Sequence, residues 1–221
     1  MAYAFEVHTG TDSGLLLKYV PGLDITLSKY DPVNVIGSSY IPLPDKVVRS
    51  GGVINMKNKD QECFKHAVTR FLNPVSSNPE RVTKLLREQA GELDWSGVAF
   101  PTHLVGGSIG RFERNNNIGV FVMGIQGDKY VPLRAPGGDY ERVVDIFYFR
   151  NKEGESHYAC IKSLSRLLYS SRSKGHHKLH FCRYCLSSFY SEKDQMDHTR
   201  IFSKHKCTSV TMPKKGRFAS L

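Results

Sequence analysis

Four apolar runs crowd the stretch between Ile118 and Ile161, and only a sheet can absorb them. Ile118-Gly-Val-Phe-Val-Met-Gly-Ile125 is β-branched and aromatic enough to be a buried strand. Tyr130-Val-Pro-Leu133 and Val143-Val-Asp-Ile-Phe-Tyr-Phe149 follow as strands, and His157-Tyr-Ala-Cys-Ile161 comes next across the turn Asn151-Lys-Glu-Gly154. Upstream the period changes. Phe64, Ala67, Val68, Phe71 and Leu72 recur at helical spacing, so one face of that segment is core. Asn78-Pro79-Glu80 has the residues of a second helix start, with Val82, Leu85 and Leu86 as its stripe and Gly91 as its stop. Ile109 to Asn115 reads as one further short helix. The single Trp95 reads as a core anchor. Early helices packed on a later antiparallel sheet are an α+β arrangement.

The expected division is an N-terminal extended arm over residues 1–50, the α+β domain over 51–170 and a basic segment over 171–221. Within the arm, Leu15–Val20 and Leu23–Leu27 carry strand patterns, and the prolines of Ser38–Pro44 force extended backbone. At 221 residues the chain can hold one good-sized core plus a small appendage. No apolar run reaches the roughly 18 residues that a membrane helix needs. The opening residues lack the basic and apolar blocks of a signal peptide, so nucleus or cytosol is expected and secretion is not. Five cysteines, an odd number with two in a Cys-x-x-Cys pair, point to metal plus free thiols in a reducing compartment.

Charge is unevenly placed. Residues 161–221 hold 13 Lys/Arg against 3 Asp/Glu, whereas the rest of the chain holds 18 of each. A neutral body with a basic end implies a polyanionic partner, nucleic acid above all; a basic surface kept for solubility is the plainer reading.

Two constellations carry chemistry. In the first, Asp60 has the chemistry of an N-cap accepting from the Cys63 amide, which sets Cys63 in the first turn of its helix. There the helix dipole lowers a thiol pKa and makes a nucleophile. His157, on a late strand, is the candidate base, with Ser163 as a weak third group. A buried structural cysteine is the competing reading of Cys63. In the second, Cys182-x2-Cys185 is followed after twelve residues by His198, then by His205 or Cys207. That is ligand spacing for Zn2+ in a two-Cys-two-His finger. Phe189 takes the place of a core aromatic and Met196 that of the usual Leu. So short a unit lacks the core to fold without metal. His176, His177 and His180 read as exposed linker residues, one of which could substitute as a ligand.

Asp60-Gln-Glu-Cys63-Phe64 and His157-Tyr158 resemble the nucleophile motif and closing His-Tyr of ovarian-tumour-type (OTU), papain-like cysteine proteases. Gln61 replaces their usual Gly, and Ala159 stands where an acid or Asn usually orients the His. A longer series includes Ser39-Tyr-Ile-Pro-Leu-Pro44, Leu93-Asp-Trp-Ser-Gly-Val-Ala-Phe-Pro101, Phe181-Cys-Arg-Tyr-Cys185 and Met212-Pro-Lys-Lys-Gly216. It resembles the region upstream of family B DNA polymerases in Maverick/Polinton-type mobile elements and related viruses. Ser163 departs from that pattern where Asn or Asp is usual, and Phe202 where the finger's last Cys sits.

Two functions follow. One is a thiol peptidase or isopeptidase acting on a ubiquitin-like tail or a viral polyprotein, with Cys63 as nucleophile, His157 as base and Asp60 organising the helix start. The other is a non-catalytic, zinc-dependent nucleic-acid-binding protein that uses the peptidase-like body as scaffold. Its phosphate contacts would be Arg172, Lys174, Lys178, Arg183, Arg200, Lys204, Lys206, Lys214, Lys215 and Arg217.

Overall fold

The computed structural model describes residues 40–127, 129–169 and 179–204. The strands expected within residues 15–27 lie outside that range. Five strands form one mixed sheet: β1 (Val53–Ile54), β2 (Ile118–Gln126), β3 (Lys129–Arg134), β4 (Arg142–Arg150) and β5 (Ser156–Ile161), in the order β1-β5-β4-β2-β3. The helices are α1 (Asp45–Ser50), α2 (Cys63–Leu72), α3 (Lys84–Gly91), α4 (Ser108–Asn116) and α5 (Leu164–Tyr169). The fold is α+β, as the sequence implied, but the sheet is not antiparallel throughout. β3 turns back on β2 and stays at the edge, where Pro132 removes no bond a neighbour needs. β4 then crosses to the far side of β2 and runs parallel to it.

Alternation along the strands builds two cores on the two faces of the sheet. On the first face Val120, Val122, Val144, Ile146, Tyr158 and Cys160 pack under α2 and α4 with Cys63, Phe64, Ala67, Val68 and Phe112. Phe64 is fully buried and meets Trp95, Phe112 and Tyr158 edge-on at 6.2, 6.0 and 5.3 Å. Trp95 is the half-buried anchor the sequence suggested, stacked on Phe112 with centroids 4.6 Å apart. On the second face Phe121, Met123, Phe147, Phe149, Ala159 and Ile161 pack with Leu167 and Leu168 of α5.

The extended arm expected over residues 1–50 does not reach residue 50: Pro44 keeps extended backbone, but a helix begins at Asp45. Ile41 and Val47 are buried in the second core, and 45–50 is the helix α1. The backbone passes so close to α5 at Gly52 that a Cβ there would sit 2.8 Å from the Leu167 nitrogen and the Ser163 oxygen. No helix among the described residues is long and apolar enough to cross a membrane.

Candidate functional site

Cys63 and His157, which the sequence paired, are not brought together. Tyr158 and Cys160 of β5 point to the α2 face, so His157, Ala159 and Ile161 point to the other. The register is unbroken here, with Tyr148 opposite Tyr158 and Phe149 opposite His157. The His157 ring packs on Phe149, centroids 5.8 Å apart, while Cys63 lies in the core beneath α2. The sheet itself stands between sulfur and imidazole. Both residues are sealed, at 1% and 0% exposure.

Burial pushes the Cys63 thiol up to about 11, and backbone contacts from Tyr158 and Phe64 do not offset it. The lowered thiol pKa expected of a helix start is therefore reversed: desolvation outweighs the dipole. Burial likewise pushes Cys160 up to about 12. Ser163 caps α5, its Oγ accepting from the Arg166 amide at 3.2 Å, and does not orient His157.

Asp60 does not cap Cys63 either. Its Oδ1 accepts from the Glu62 amide at 3.1 Å, and Glu62 is the residue that precedes the helix. Its carboxylate meets Nε2 of the buried His66 at 3.0 and 3.1 Å. Burial raises the Asp60 pKa, yet the bonds from His66 and the Glu62 amide outweigh it and hold the carboxyl below its usual value. Asp60, Glu62 and His66 form a group able to hold a metal ion. Glu62 also pairs with Lys65 at 3.2 Å. The sequence reading missed His66, although a histidine at i+3 from Cys63 on the apolar face of α2 was visible.

The second metal-capable group is the one the spacing predicted. β6 (His180–Phe181) and β7 (Ser188–Phe189) form a short hairpin, and α6 (Glu192–Lys204) follows. Leu186, with φ 58°, turns the chain after the second cysteine. Ligand atoms of Cys182, Cys185 and His198 lie within 4.8 Å of one another. Cys185 Sγ is 3.2 Å from His198 Nε2 and 3.1 Å from the Ser187 hydroxyl. Burial alone would raise the Cys185 thiol, but the hydrogen bonds of Ser187 and His198 bring it down to about 7. Two soft sulfurs and an imidazole are the donor set zinc prefers. The expected fourth ligands, His205 and Cys207, lie outside the described residues. Phe189, expected as a core aromatic, is partly buried and meets the His198 ring at 4.8 Å, but Met196 is 63% exposed and packs no core. Leu179, Phe181 and Leu186 do that instead, joining the second core of the sheet.

Arg183, between the two cysteines, donates from Nε to Asp145 Oδ1 at 2.6 Å and from Nη2 to Oδ2 at 3.0 Å. It is therefore committed to the protein and corrected from the list of phosphate contacts. Asp145 went unread, though a lone carboxylate inside Val143–Phe149 demands a buried cation. The three acids of residues 161–221 are Glu192, Asp194 and Asp197, all on α6. Arg172, Lys174, Lys178, Lys206, Lys214, Lys215 and Arg217 lie outside the described residues. No family model, curated protein or solved structure matches the chain.

Proposed function

We propose that the chain is a non-catalytic, zinc-dependent nucleic-acid-binding protein whose α+β body is a platform for a basic zinc finger. The observation that carries this is the Cys182–Cys185–His198 group, set on the sheet by Arg183 and flanked by acid-free basic sequence. Between Ser156 and Ser191 there are six Lys/Arg and no Asp or Glu, and after Asp197 there are six more and again no acid. Zinc would be held by Cys182, Cys185 and His198, with the fourth position filled by His205 or Cys207, and its role is to fix the fold of the finger. The resemblance to proteins encoded beside mobile-element polymerases agrees with a nuclear, nucleic-acid-facing role.

The grip would be on phosphates and not on bases. In a zinc finger the positions that read bases lie at −1, 3 and 6 of the helix. Counted from Glu192 these are Ser191, Asp194 and Asp197, two of them anionic. Contacts fall instead to Arg172, Lys174, Lys178, Lys206, Lys214, Lys215 and Arg217. The peptidase reading loses its support because its thiol and imidazole occupy opposite faces of the sheet.

The test is a charge count. Replacing Lys214, Lys215 and Arg217 by Gln is expected to weaken binding to any labelled duplex alike. It should also flatten the slope of log affinity against log salt by about 2–3, at roughly 0.9 per phosphate contact. An unchanged slope would remove these residues from the interface.

A further inference from the structure

The start of α2 gathers a second set of metal donors on the body of the protein. Ligand atoms of Asp60, Glu62 and His66 lie within 4.8 Å of one another. The imidazole is no surface group: His66 is 2% exposed, and its Nε2 stands 3.0 Å from Asp60 Oδ2. Donors about 2.1 Å from an ion and at right angles about it stand about 3.0 Å apart, so this pair already has the spacing of an octahedral edge. Asp60 Oδ1 is engaged by the Glu62 amide, the Asn58 side chain and His66, whereas Oδ2 meets His66 alone among the described residues.

Two buried polar atoms at this group have no partner. Asn58 is 3% exposed and turned onto Asp60, its Nδ2 2.6 Å from the Asp60 carbonyl and 3.2 Å from Oδ1. Its own Oδ1 nevertheless accepts no hydrogen bond among the described residues, and His66 Nδ1 is likewise buried and unpaired. Orphaned buried atoms of this kind call for an ion or a water, and the carboxylates beside them favour the ion. Two carboxylates also outweigh the roughly +0.5 charge of the helix start. Their side chains are 41% exposed at Asp60 and 36% at Glu62, so an ion can enter from solvent.

We propose that Asp60, Glu62 and His66 bind a divalent first-row transition ion, at a site separate from the Cys182–Cys185–His198 group. The imidazole selects against Mg2+ and Ca2+, which take oxygen ligands. Three protein donors on an open surface leave positions for water, the arrangement of an exchangeable site and not of a closed structural one. Without the ion, Asp60 keeps the ring proton on Nε2. The ion takes the Nε2 lone pair and that proton moves to Nδ1, so the ring stays neutral. Glu62 must give up Lys65, its present partner at 3.2 Å. The ammonium has a second hold, since it lies 5.9 and 5.3 Å from the ring centroids of Trp95 and Phe100.

The experiment is a calorimetric titration of the full zinc-loaded chain, freed of excess metal, with Co2+. One further equivalent is expected, without a thiolate-to-cobalt absorption band, because the donors are oxygen and nitrogen. His66→Gln should weaken that binding by more than about 100-fold, beyond what losing an outer-shell partner costs. Glu62→Ala is the gentler variant, since Glu62 lies at the surface and its side chain makes no cap bond. It should weaken binding by at least about tenfold. Lys65→Met, which keeps the apolar stem and releases Glu62, should tighten binding about two- to fivefold, the worth of an exposed ion pair. Equimolar Mg2+ should not displace the cobalt. No further equivalent, a thiolate band, displacement by Mg2+, or equal affinity in Glu62→Ala and wild type would each overturn the proposal.

Discussion

Arg183 reaches out of the Cys182–Cys185 turn and lays its guanidinium along the carboxylate of Asp145, near the middle of β4, with two bonds of 2.6 and 3.0 Å. The side chain of Asp145 is 8% exposed and that of Arg183 34%. The metal-capable group and the sheet therefore share one fork of charge as well as one apolar core.

Removing either partner tests that link. Arg183→Ala leaves a buried carboxylate unpaired and is expected to destabilise the protein by about 3 kcal/mol, the low end for breaking a buried pair because Arg183 is partly exposed. Arg183→Lys should recover only part of this, since an ammonium cannot fork. The midpoint of urea unfolding measures both. A loss below about 0.5 kcal/mol, the range of ordinary surface substitutions, would show that the pair contributes nothing.

Metal and body should unfold together. Because Leu179, Phe181 and Leu186 lie in the same core as Phe147 and Ile161, chelating zinc is expected to lower the melting temperature of the whole described fold. Cys182→Ser should weaken zinc binding by more than about 100-fold, beyond what losing an outer-shell partner costs. Calorimetry with and without chelator reads this directly; an unmoved melting temperature would separate the two.

The buried thiols give a pH signature. Both folded values, about 11 for Cys63 and about 12 for Cys160, lie above the 9.0 of an exposed thiol. The folded state thus holds those protons more tightly than the unfolded chain. The resulting stability is complete below pH 9 and is lost as pH rises through the 9 to 12 window. Cys63→Ala with Cys160→Ala should flatten that decline. At neutral pH neither thiol should react with iodoacetamide until the protein is unfolded; rapid alkylation of Cys63 in the folded state would revive a nucleophilic role.

Phe64 meets three aromatic rings in the first core, Trp95, Phe112 and Tyr158. Phe64→Ala should cost about 3–5 kcal/mol through lost burial and the cavity left behind. Thermal unfolding checks it, and a cost under 1 kcal/mol would mean the Trp95–Phe112–Tyr158 cluster closes over the gap.

What the sequence revealed, and what it hid, follows from how local each signal is. The strands were legible because apolar runs such as Ile118–Ile125 have no other use. Their order was not, because the parallel pairing of β2 with β4 depends on where the chain crosses after β3. The start of α3 was misplaced for a tertiary reason. The carbonyl of Glu80 is taken by the Lys57 amide and that of Arg81 by the buried Arg70, so two of the acceptors that a helix from Pro79 would use are engaged elsewhere. Thr83 caps instead, accepting from the Leu86 amide at 3.2 Å, while Asn78 sits at φ 45°. The metal-capable group of Cys182, Cys185 and His198 was readable from spacing alone, since chelation would fix spacing. The Cys63–His157 pairing failed on a single parity: shifting β5 by one residue would have turned His157 toward α2.

The most direct measurement is the affinity of the full chain for a labelled nucleic acid across a salt series, once with zinc bound and once after chelation. With zinc, log affinity should fall linearly with log salt at a slope of about −5, as counterion release at several phosphates requires. After chelation the affinity should drop at every salt concentration. A slope near zero, or two curves that superimpose, would contradict a metal-ordered, phosphate-gripping protein.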